Sequence, residues 1–412
     1  MTIAATSDTA LLRDLAEQYM TVCSTERNAS RRELWRTHNS LKPSRPPIYM
    51  RAFAWSEMPA SACEIQDPFL RSWENWLRNH LFWASLGDDS VFEPWIAMPA
   101  AHITPAGGIW GVSPTFHKSG TERGSHVWDA PLKTEEDLSR LIPPHHVINE
   151  VATAEHLEQL SEVFGDTIPV VVDRAPAYRT WNGDISTQLA YIRGLEQMMV
   201  DMVDRPDWLH KLVTFMRDGI VRTHEQAEEA GDWSYLSHEN QAMSYGEELR
   251  DPAADNEPVS RKDLWYFAAS QETTGVGPAM FDEFMLQYQI PIMEPFGLVA
   301  YGCCEDLSHK IDLLRQVPNL RRIAVAPRAD VASCVEQIGD DYVVSYRPNP
   351  SEMVSNGFDP DYVRTVMRRD LGICRNSTVD ITLKDVETVE HDPDRARRWV
   401  GIVNEVIDEL WG

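Results

Sequence analysis

The chain has 412 residues, of which 43% are hydrophobic and 25% are charged, as in an ordinary globular protein. Its 38 Lys and Arg residues against 64 Asp and Glu residues give a formal net charge of −26. Such a surface repels phosphate backbones, so nucleic acid is not an expected partner. The sequence has no run of about 18 apolar residues, so no span of a bilayer and no membrane partner are expected.

The start of the chain and its cysteines indicate the cellular compartment to expect. The first eight residues lack the basic start and the apolar stretch of a signal peptide, which predicts a cytoplasmic protein. The six cysteines are too sparse for a disulfide framework, so reduced thiols are expected. The length fits a single barrel domain over residues 1–412 that carries loop insertions.

The first half of the chain alternates helical and extended patterns. Apolar residues at helical spacing predict a helix over 8–38, and residues 1–44 are interpreted as a helical cap over one end of the fold. Strands are predicted at 45–55, 93–102 and 168–173. The Gly-rich stretch 104–131 is predicted as a long loop, a kind of segment that often forms a lid or a binding surface.

The second half continues the alternation more regularly. Helices are predicted at 185–229, with a break near Pro206, and at 278–289 and 393–411. Strands are predicted at 233–241, 298–305, 322–330, 341–347 and 379–385. The sequence LVAYGCCE at 298–305 is an apolar run that stops at two thiols and a carboxylate, which is typical of a buried strand that opens into a site.

Eight strands separated by helices predict a (β/α)8 TIM barrel, with an N-terminal helical extension. The alternative is a doubly wound open sheet. The first predicted strand is not followed by a Gly-rich phosphate loop, which favours the barrel. In such a barrel the active site lies at the carboxyl ends of the strands.

Two sequence stretches resemble the uroporphyrinogen decarboxylase-like superfamily. They are PPIYMR at 46–51 and FGLVAYGCCE at 296–305, and the similarity extends from about residue 30 to the end. The chain looks most similar to the branch that includes corrinoid-linked methyltransferases. In that branch a His-x-Cys pair and a later Cys bind zinc. Here Gly302, Cys303 and Cys304 stand at the matching place, so the histidine of the pair is missing.

The resemblance and the strand ends together suggest a metal site. Cys303 and Cys304 are candidate soft ligands for zinc, and His238, at the end of a predicted neighbouring strand, is a candidate imidazole ligand. Glu239 and Asp385 are candidate catalytic acid–base groups. The alternative interpretation is that both thiols fill a barrel core as small hydrophobic residues and that the His–Glu pair is structural.

Polar and aromatic residues near other predicted strand ends form a candidate substrate-binding set. Charges at a strand end are either substrate-orienting groups or salt-bridged supports, because a buried unpaired charge is costly. Flat aromatic side chains suit an aromatic ligand, although many tryptophans fill cores instead. The set is Arg51, Trp55, Asp173, Arg174, Tyr178, Trp181, Asn240 and Arg328.

The resemblance therefore implies a zinc-assisted methyltransferase that takes a methyl group from a small donor such as a methoxylated aromatic compound. The resemblance implies that the acceptor is a corrinoid on a separate carrier protein. One alternative is a metal-independent decarboxylase with cationic clamps such as Arg51, Arg174 and Arg328. Another is a barrel that binds a ligand without turnover. Self-association into a homodimer is also compatible with the many aromatic residues.

Overall fold

The computed structural model of the protein describes residues 6–51, 54–120 and 124–412. Its helices in the first half are α1 (Thr6–Cys23), α2 (Glu26–Asn39), α3 (Pro68–Ala84), α4 (Glu150–Phe164), α5 (Ile185–Arg193), α6 (Leu195–Asp204) and α7 (Pro206–Ala230). Those in the second half are α8 (Pro278–Phe281), α9 (Gln287–Met293), α10 (Ile311–Leu314), α11 (Val331–Ile338), α12 (Pro360–Ile373) and α13 (Asp394–Trp411). A π-helical turn, Asp282–Leu286, joins α8 to α9.

The strands are short and most of them are buried. They are β1 (Ile48–Met50), β2 (Ile96–Pro99), β3 (Thr115–Lys118), β4 (His126–Asp129), β5 (Val170–Asp173), β6 (Trp265–Ala268), β7 (Leu298–Tyr301), β8 (Leu320–Val325), β9 (Val343–Tyr346) and β10 (Val379–Leu383). Branched and aromatic residues dominate them, as expected of strands covered on both faces.

Six strands form a curled parallel sheet in the order β1-β10-β9-β8-β7-β6. A second parallel pair, β2-β5, and an antiparallel hairpin, β3-β4, stand apart from it. The parallel strands within the described residues number eight, the number that the barrel prediction requires. Within the described residues, however, the ladder does not close: the six-stranded sheet is half of a barrel, and no strand pairing joins it to β2-β5.

Side chains occupy the place of a neighbouring strand along the open edge of β1. The backbone N–H of Ile48 donates to Asp89 Oδ2 at 2.8 Å, and that of Met50 donates to Asp88 Oδ2 at 2.8 Å. The N–H of Asp89 donates in turn to the carbonyl of Ile48 at 2.8 Å. An unpaired strand edge invites pairing with another chain, and the two aspartates satisfy this one locally.

The predicted strand at 233–241 is wrong, and a strand that the sequence analysis missed takes its place in the sheet. Residues Tyr235–Ser237 form a 3-10 turn. Ser234 and Ser237 hold this turn through their hydroxyls, which bond to nearby backbone N–H groups; serine side chains often compete with a strand ladder in this way. The fourth parallel strand is β6, which begins at Trp265.

Several predicted boundaries also differ. The helix predicted at 8–38 is two helices, because Thr25 starts α2 by accepting a hydrogen bond from the N–H of Asn28. The helix predicted at 185–229 is three: Gly194, with φ 96°, separates α5 from α6, and Pro206 begins α7. The loop predicted at 104–131 contains the β3-β4 hairpin. The strand predicted at 45–55 ends at Met50, and its residues 52 and 53 lie outside the described residues.

The two faces of the six-stranded sheet differ in what covers them. Tyr266, Val299 and Ile381 belong to the large core that contains the helices. The alternate residues of β6 and β7 form a smaller apolar cluster with Cys303, against which Trp181 packs. The sheet therefore has an outer face covered by helices and an inner face that leads to Cys303. None of the described helices is both long and apolar enough to cross a membrane.

Candidate functional site

The candidate site lies where three strands of the six-stranded sheet end. Cys303 and Cys304 follow β7, Arg347 follows β9, and Lys384 and Asp385 follow β10. Because all of these strands are parallel, their carboxyl ends meet at one edge. This is the edge at which barrel and open-sheet enzymes carry their chemistry.

Gly302 fixes the turn that places the thiols. Its φ is +100°, a conformation that side chains rarely adopt. A Cβ at this position would lie 2.8 Å from Leu307 Cδ1 and 3.0 Å from Ala324 Cβ. The backbone therefore runs close to β8 here, and the next residue, Cys303, is buried with 3% exposure.

Lys384 joins the two thiols. Its Nζ donates to Cys303 Sγ at 2.9 Å and to Cys304 Sγ at 2.9 Å, and it lies 3.0 Å from Asp385 Oδ2. The sulfur atoms are 3.7 Å apart, and Cys304 Sγ also lies 3.5 Å from Asp385 Oδ2. The ammonium group thus has three acceptors, two of which are sulfurs.

Two more charged residues support the backbone at Cys303. Arg347 Nη1 donates to the carbonyl of Cys303 at 2.6 Å, while its buried Nε has no hydrogen-bond partner among the described residues. Glu305 accepts from the N–H of Cys303 at 2.7 Å and from the N–H of Ser270 at 2.8 Å. Glu305 therefore ties the turn after β7 to the turn after β6 and holds the thiol in place.

This arrangement separates the acidities of the two thiols. The hydrogen bond from Cys304, together with the charges of Arg347 and Lys384, outweighs burial and lowers the pKa of Cys303 to about 4. The same hydrogen bond and the charge of Cys303 raise the pKa of Cys304. Because the pair is coupled, the proton belongs to the pair, and the structure favours a thiolate at Cys303 beside a thiol at Cys304.

The lysine remains charged despite its burial. Burial and Arg347 lower the pKa of Lys384, but the charges of Cys303 and Asp385 outweigh them and the net shift is upward. For Asp385, burial raises the pKa, and the charge and hydrogen bond of Lys384 more than reverse that effect. The resting charges are an ammonium group between a thiolate and a carboxylate.

The site opens to solvent on one side. Cys304 is exposed, and the side chain of Asp385 is 56% exposed. A small molecule therefore has access to the exposed thiol, and Asp385 holds a positive φ of 57° at the opening, a backbone conformation that is uncommon outside glycine and occurs at functional sites.

His238 does not join the thiols. Its Nδ1 accepts from the N–H of Trp265 at 3.1 Å, and its Nε2 donates to the carbonyl of Arg250 at 3.0 Å. Trp265 is the first residue of β6, so the imidazole lies at the amino end of the sheet, opposite to the thiols. Both ring nitrogens are occupied, and burial lowers the pKa of His238 to about 4.

The residues at the thiols do not fit the predicted zinc. Among the described residues, no group of three or more His, Cys, Asp or Glu side chains is arranged to hold a metal ion. The ammonium of Lys384 already contacts both sulfurs. A divalent cation would have to displace it and would otherwise face its positive charge.

Glu239, Asp173 and Asn240 each bind groups near their own positions. Thr180 donates to Glu239 from its hydroxyl at 2.8 Å and from its N–H at 3.2 Å. Asp173 is paired with Arg179 and accepts from the hydroxyl of Ser237 at 3.0 Å. Asn240 accepts from the N–H of Ala242 at 3.2 Å, within its own turn. These contacts hold the 233–241 segment against β5 and do not reach the thiols.

The rest of the candidate substrate-binding set is dispersed. Arg174 binds Glu150 and Asp232, and the buried hydroxyl of Tyr178 donates to the carbonyl of Ile109. Trp55 Nε1 donates to Asn75 at 2.7 Å, Trp181 packs edge-on against Phe267 with 5.6 Å between ring centroids, and Arg328 is exposed. Arg51 acts on the site through its charge, which helps to lower the pKa of Asp385.

Arg347 and Glu305 belong to the site but were not among the residues predicted from the sequence. Arg347 ends a strand that was predicted at 341–347, so its position at the carboxyl edge was the available signal. Glu305 stands two residues after Cys303, but its role as a bridge between the turns after β6 and β7 depends on the strand β6, which the sequence analysis missed. Lys384 follows the apolar run of the strand predicted at 379–385, so its place at the carboxyl edge was also available from the sequence.

The fold and the site define a mixed α/β protein with a thiolate–ammonium pair at the carboxyl edge of a parallel half-barrel. No family model and no curated protein sequence matches the chain. Among solved structures, the chain is similar to a methyltransferase from Methanosarcina mazei, with a TM-score of 0.51 and 12% sequence identity, over 92% of this chain and 98% of that chain. At this identity the likeness concerns the fold.

Proposed function

We propose that the chain is a methyltransferase-type enzyme in which the Cys303 thiolate is the nucleophile. The observation that carries the proposal is the 2.9 Å contact between Cys303 Sγ and the ammonium of Lys384 at the edge where such folds place their active sites. The thiolate is the nucleophilic form of cysteine, and a neighbouring cation keeps it populated at neutral pH. The fold of a methyltransferase from Methanosarcina mazei, which resembles that of this chain, supports methyl transfer as the reaction class.

In the proposed step the thiolate sulfur attacks the methyl carbon of the donor. A carbon–sulfur bond forms at Cys303 as the bond between the methyl carbon and the donor heteroatom breaks. The electron pair of the broken bond leaves with the heteroatom as an anion. The sulfur becomes a neutral thioether, so Lys384 loses one of its two negative neighbours.

Lys384 is the proposed source of the proton for the leaving group. The charge of Cys303 helps to raise the pKa of Lys384 in the resting site. Methylation removes that charge, so the ammonium becomes more acidic at the moment when the leaving anion needs a proton. Asp385, at 3.0 Å from Nζ, keeps the lysine oriented. Of the two acid–base candidates, the proposal retains Asp385 and gives Glu239 no role.

The second half of the reaction needs an acceptor that removes the methyl group from the thioether. On the family resemblance, we propose a corrinoid on a separate carrier protein, which would supply a cobalt nucleophile when bound at the opening. The carrier would hold this group, so no residue of the chain is assigned to it. The exposed Cys304 and Asp385 mark the side from which it would approach.

The test is single-turnover methylation of the purified chain. The protein is incubated with aryl methyl ethers and with methylated thiols and amines, and its mass is then measured after digestion. We expect one added methyl group on the peptide that contains Cys303. A Cys303→Ser variant should lose the adduct, with a rate at least about 1,000-fold lower, as is common when a nucleophile is removed.

The matched control is Cys63→Ser, which removes a half-exposed thiol elsewhere in the chain. It should leave the methylation rate unchanged. Methyl groups that appear equally on Cys63 and Cys303 would show unspecific alkylation and would contradict the proposal. Transfer that continues without any adduct in the Cys303→Ser variant would contradict the role of the thiolate.

A metal-independent decarboxylase is the second candidate. It is favoured by three cations at the site, Arg51, Arg347 and Lys384. Among the described residues, Arg51 has no ion-pair partner, and Arg347 Nε has no hydrogen-bond partner. These donors would hold substrate carboxylates. A decarboxylase of this kind would release carbon dioxide from a small polycarboxylate and would retain its activity in the Cys303→Ser variant, whereas the methyltransferase would not.

A further inference from the structure

Cys304 has no role in the proposed transfer step, although its position is as well defined as that of Cys303. Its sulfur is 3.7 Å from Cys303 Sγ and 2.9 Å from Lys384 Nζ. It is the exposed member of the pair, whereas Cys303 is 3% exposed. A second thiol beside a buried thiolate is the arrangement in which a resolving cysteine acts.

We propose that Cys303 and Cys304 are a site of reversible oxidation, at which a hydroperoxide converts the two thiols into a disulfide. Hydrogen peroxide is a small co-reactant that passes Cys304 to reach the buried sulfur.

The first step consumes the hydroperoxide. The Cys303 thiolate attacks one oxygen of hydrogen peroxide, the O–O bond breaks, and Cys303 becomes a sulfenic acid. The other oxygen leaves as hydroxide, takes a proton from Lys384 and becomes water. The contact of Lys384 with Cys303 at 2.9 Å serves both to keep the sulfur ionised and to deliver this proton.

The second step closes the disulfide. The sulfur of Cys304 attacks the sulfenic sulfur of Cys303, a sulfur–sulfur bond forms, and the sulfenic oxygen leaves as water with the proton of Cys304. The two cysteines lose two electrons in total, and the peroxide gains them. A small dithiol returns the pair to its reduced state by thiol–disulfide exchange.

The other cysteines do not offer this reaction. Cys23, Cys334 and Cys374 are buried, and burial raises the pKa of each thiol. Cys63 is half-exposed, but burial raises its pKa as well. Oxidation is therefore expected to be selective for the 303–304 pair, since thiolate character and access together decide which cysteine is oxidised.

The experiment treats the full chain with one equivalent of hydrogen peroxide, blocks remaining thiols with an alkylating agent and maps the peptides by mass. We expect the peptide with Cys303 and Cys304 to lose two hydrogen masses and to resist alkylation until dithiothreitol is added. Cys304→Ser, at an exposed position where folding should be unaffected, should instead accumulate a sulfenic acid on Cys303 that dimedone traps. Cys63→Ser should behave as the parent protein does.

The role of the lysine provides a second readout. Lys384→Met should slow disulfide formation by at least about tenfold at neutral pH, because the thiolate loses its cation. The proposal is overturned if both cysteines are alkylated after peroxide treatment, or if Cys304→Ser gives the same two-hydrogen loss.

The consequence for activity rests on the proposed function. A disulfide would remove the nucleophile, so oxidised protein should lose methyl transfer and regain it with dithiothreitol. Disulfide formation without any loss of transfer would leave the oxidation site in place but would refute the assignment of Cys303 as the nucleophile. The two proposals can therefore fail separately.

Discussion

The strand β10 carries a buried charge at each end, and the two ends differ in how completely those charges are paired. Near its start, Asp380 accepts from Arg322 at 2.6 Å, from Ser345 at 3.1 Å and from Thr382 at 3.0 Å. His38 adds a contact at 3.3 Å. The side chains of Asp380 and Arg322 are 0% and 2% exposed.

The other end of β10 is incompletely paired and open. Lys384 holds a thiolate and an exposed thiol, and Arg347 has an unpaired Nε nearby. A buried charge is tolerated only when it is paired and hydrogen-bonded. The Asp380 cluster meets that condition within the protein, so it is structural. The Lys384 cluster contains a reactive thiolate and an unpaired arginine nitrogen, and a substrate-binding site requires groups of this kind.

The largest effect on stability is expected from the Asp380 cluster. Asp380→Asn would leave the buried guanidinium of Arg322 without its carboxylate, which should lower the free energy of unfolding by about 3–5 kcal/mol. Denaturant unfolding measures this loss. The control is Glu409→Gln, which breaks the exposed pair with Arg368 and should cost far less, because solvent screens an exposed ion pair. Equal losses in the two variants would contradict the structural assignment.

The Lys384 cluster should affect the reactivity of Cys303 more than the stability of the protein. Lys384→Met removes the cation that favours the Cys303 thiolate, so alkylation of Cys303 by iodoacetamide at pH 6 should slow by about 10- to 100-fold. In the parent protein the alkylation rate should stay level as pH falls well below the ordinary pKa of a cysteine, because the hydrogen bond from Cys304 and the charges of Arg347 and Lys384 lower the pKa of Cys303. In Lys384→Met the alkylation rate should already fall at a higher pH than in the parent protein.

The control for this experiment is Lys42→Met, which breaks an exposed pair with Glu247. Its alkylation profile should match that of the parent protein. If the profile of Lys384→Met also matched it, the ammonium group would not be what keeps Cys303 ionised, and the contrast between the two ends of β10 would lose its chemical meaning.

The sequence predicts the Lys384 cluster, at the carboxyl ends of the strands, better than the Asp380 cluster near the start of β10, for a physical reason. Cys303, Cys304, Lys384 and Asp385 all follow apolar strand segments, and parallel strands bring such positions together whatever the details of packing. Asp380 and Arg322 lie inside strands, where pairing depends on which residues face inward. The register of β8, β9 and β10 decides that, and a single sequence does not specify it.

The misplacement of His238 has a related origin. The segment at 233–241 starts with mostly apolar residues and ends in polar ones, as a strand that leads to a site does, and it precedes the Cys303 strand in the chain. Its serines instead form a capped turn. The imidazole of His238 accepts a hydrogen bond from the backbone N–H of Trp265 at the amino end of the sheet. The order of residues in one segment does not reveal whether a neighbouring strand or a side chain takes the backbone hydrogen bonds.

A substitution at Gly302 tests how tightly the turn before Cys303 is packed. Gly302→Ala should destabilise the protein by about 1–3 kcal/mol, because it combines a positive φ with contacts that real Cβ atoms do not show. Gly357→Ala is the matched control, since its φ is +60° and nothing lies within 4 Å of its Cβ. The excess loss in Gly302→Ala over Gly357→Ala measures the steric part. Alkylation of Cys303 should change in Gly302→Ala alone, and unchanged alkylation there would show that the turn does not position the thiol.

The smallest expected effect concerns a buried histidine outside both clusters. His224 is 0% exposed, its Nε2 donates to the carbonyl of Tyr178 at 2.8 Å, and burial lowers its pKa to about 3. The unfolded chain binds a proton at this residue below its ordinary pKa, about 6.5, whereas the folded protein does so only near pH 3. The stability that this neutral histidine contributes is therefore present above pH 6.5 and is lost as pH falls from about 6.5 toward 3.

His224→Gln retains a side-chain donor but does not titrate. The free energy of unfolding of the parent protein should fall more steeply between pH 6 and pH 4 than that of the variant, by about 1.4 kcal/mol per pH unit at most. The exposed His145 provides the comparison, because His145→Gln should leave the slope near that of the parent. Parallel slopes for the parent and His224→Gln would mean that His224 gains its proton without unfolding, and that the helix α7 opens locally at acid pH.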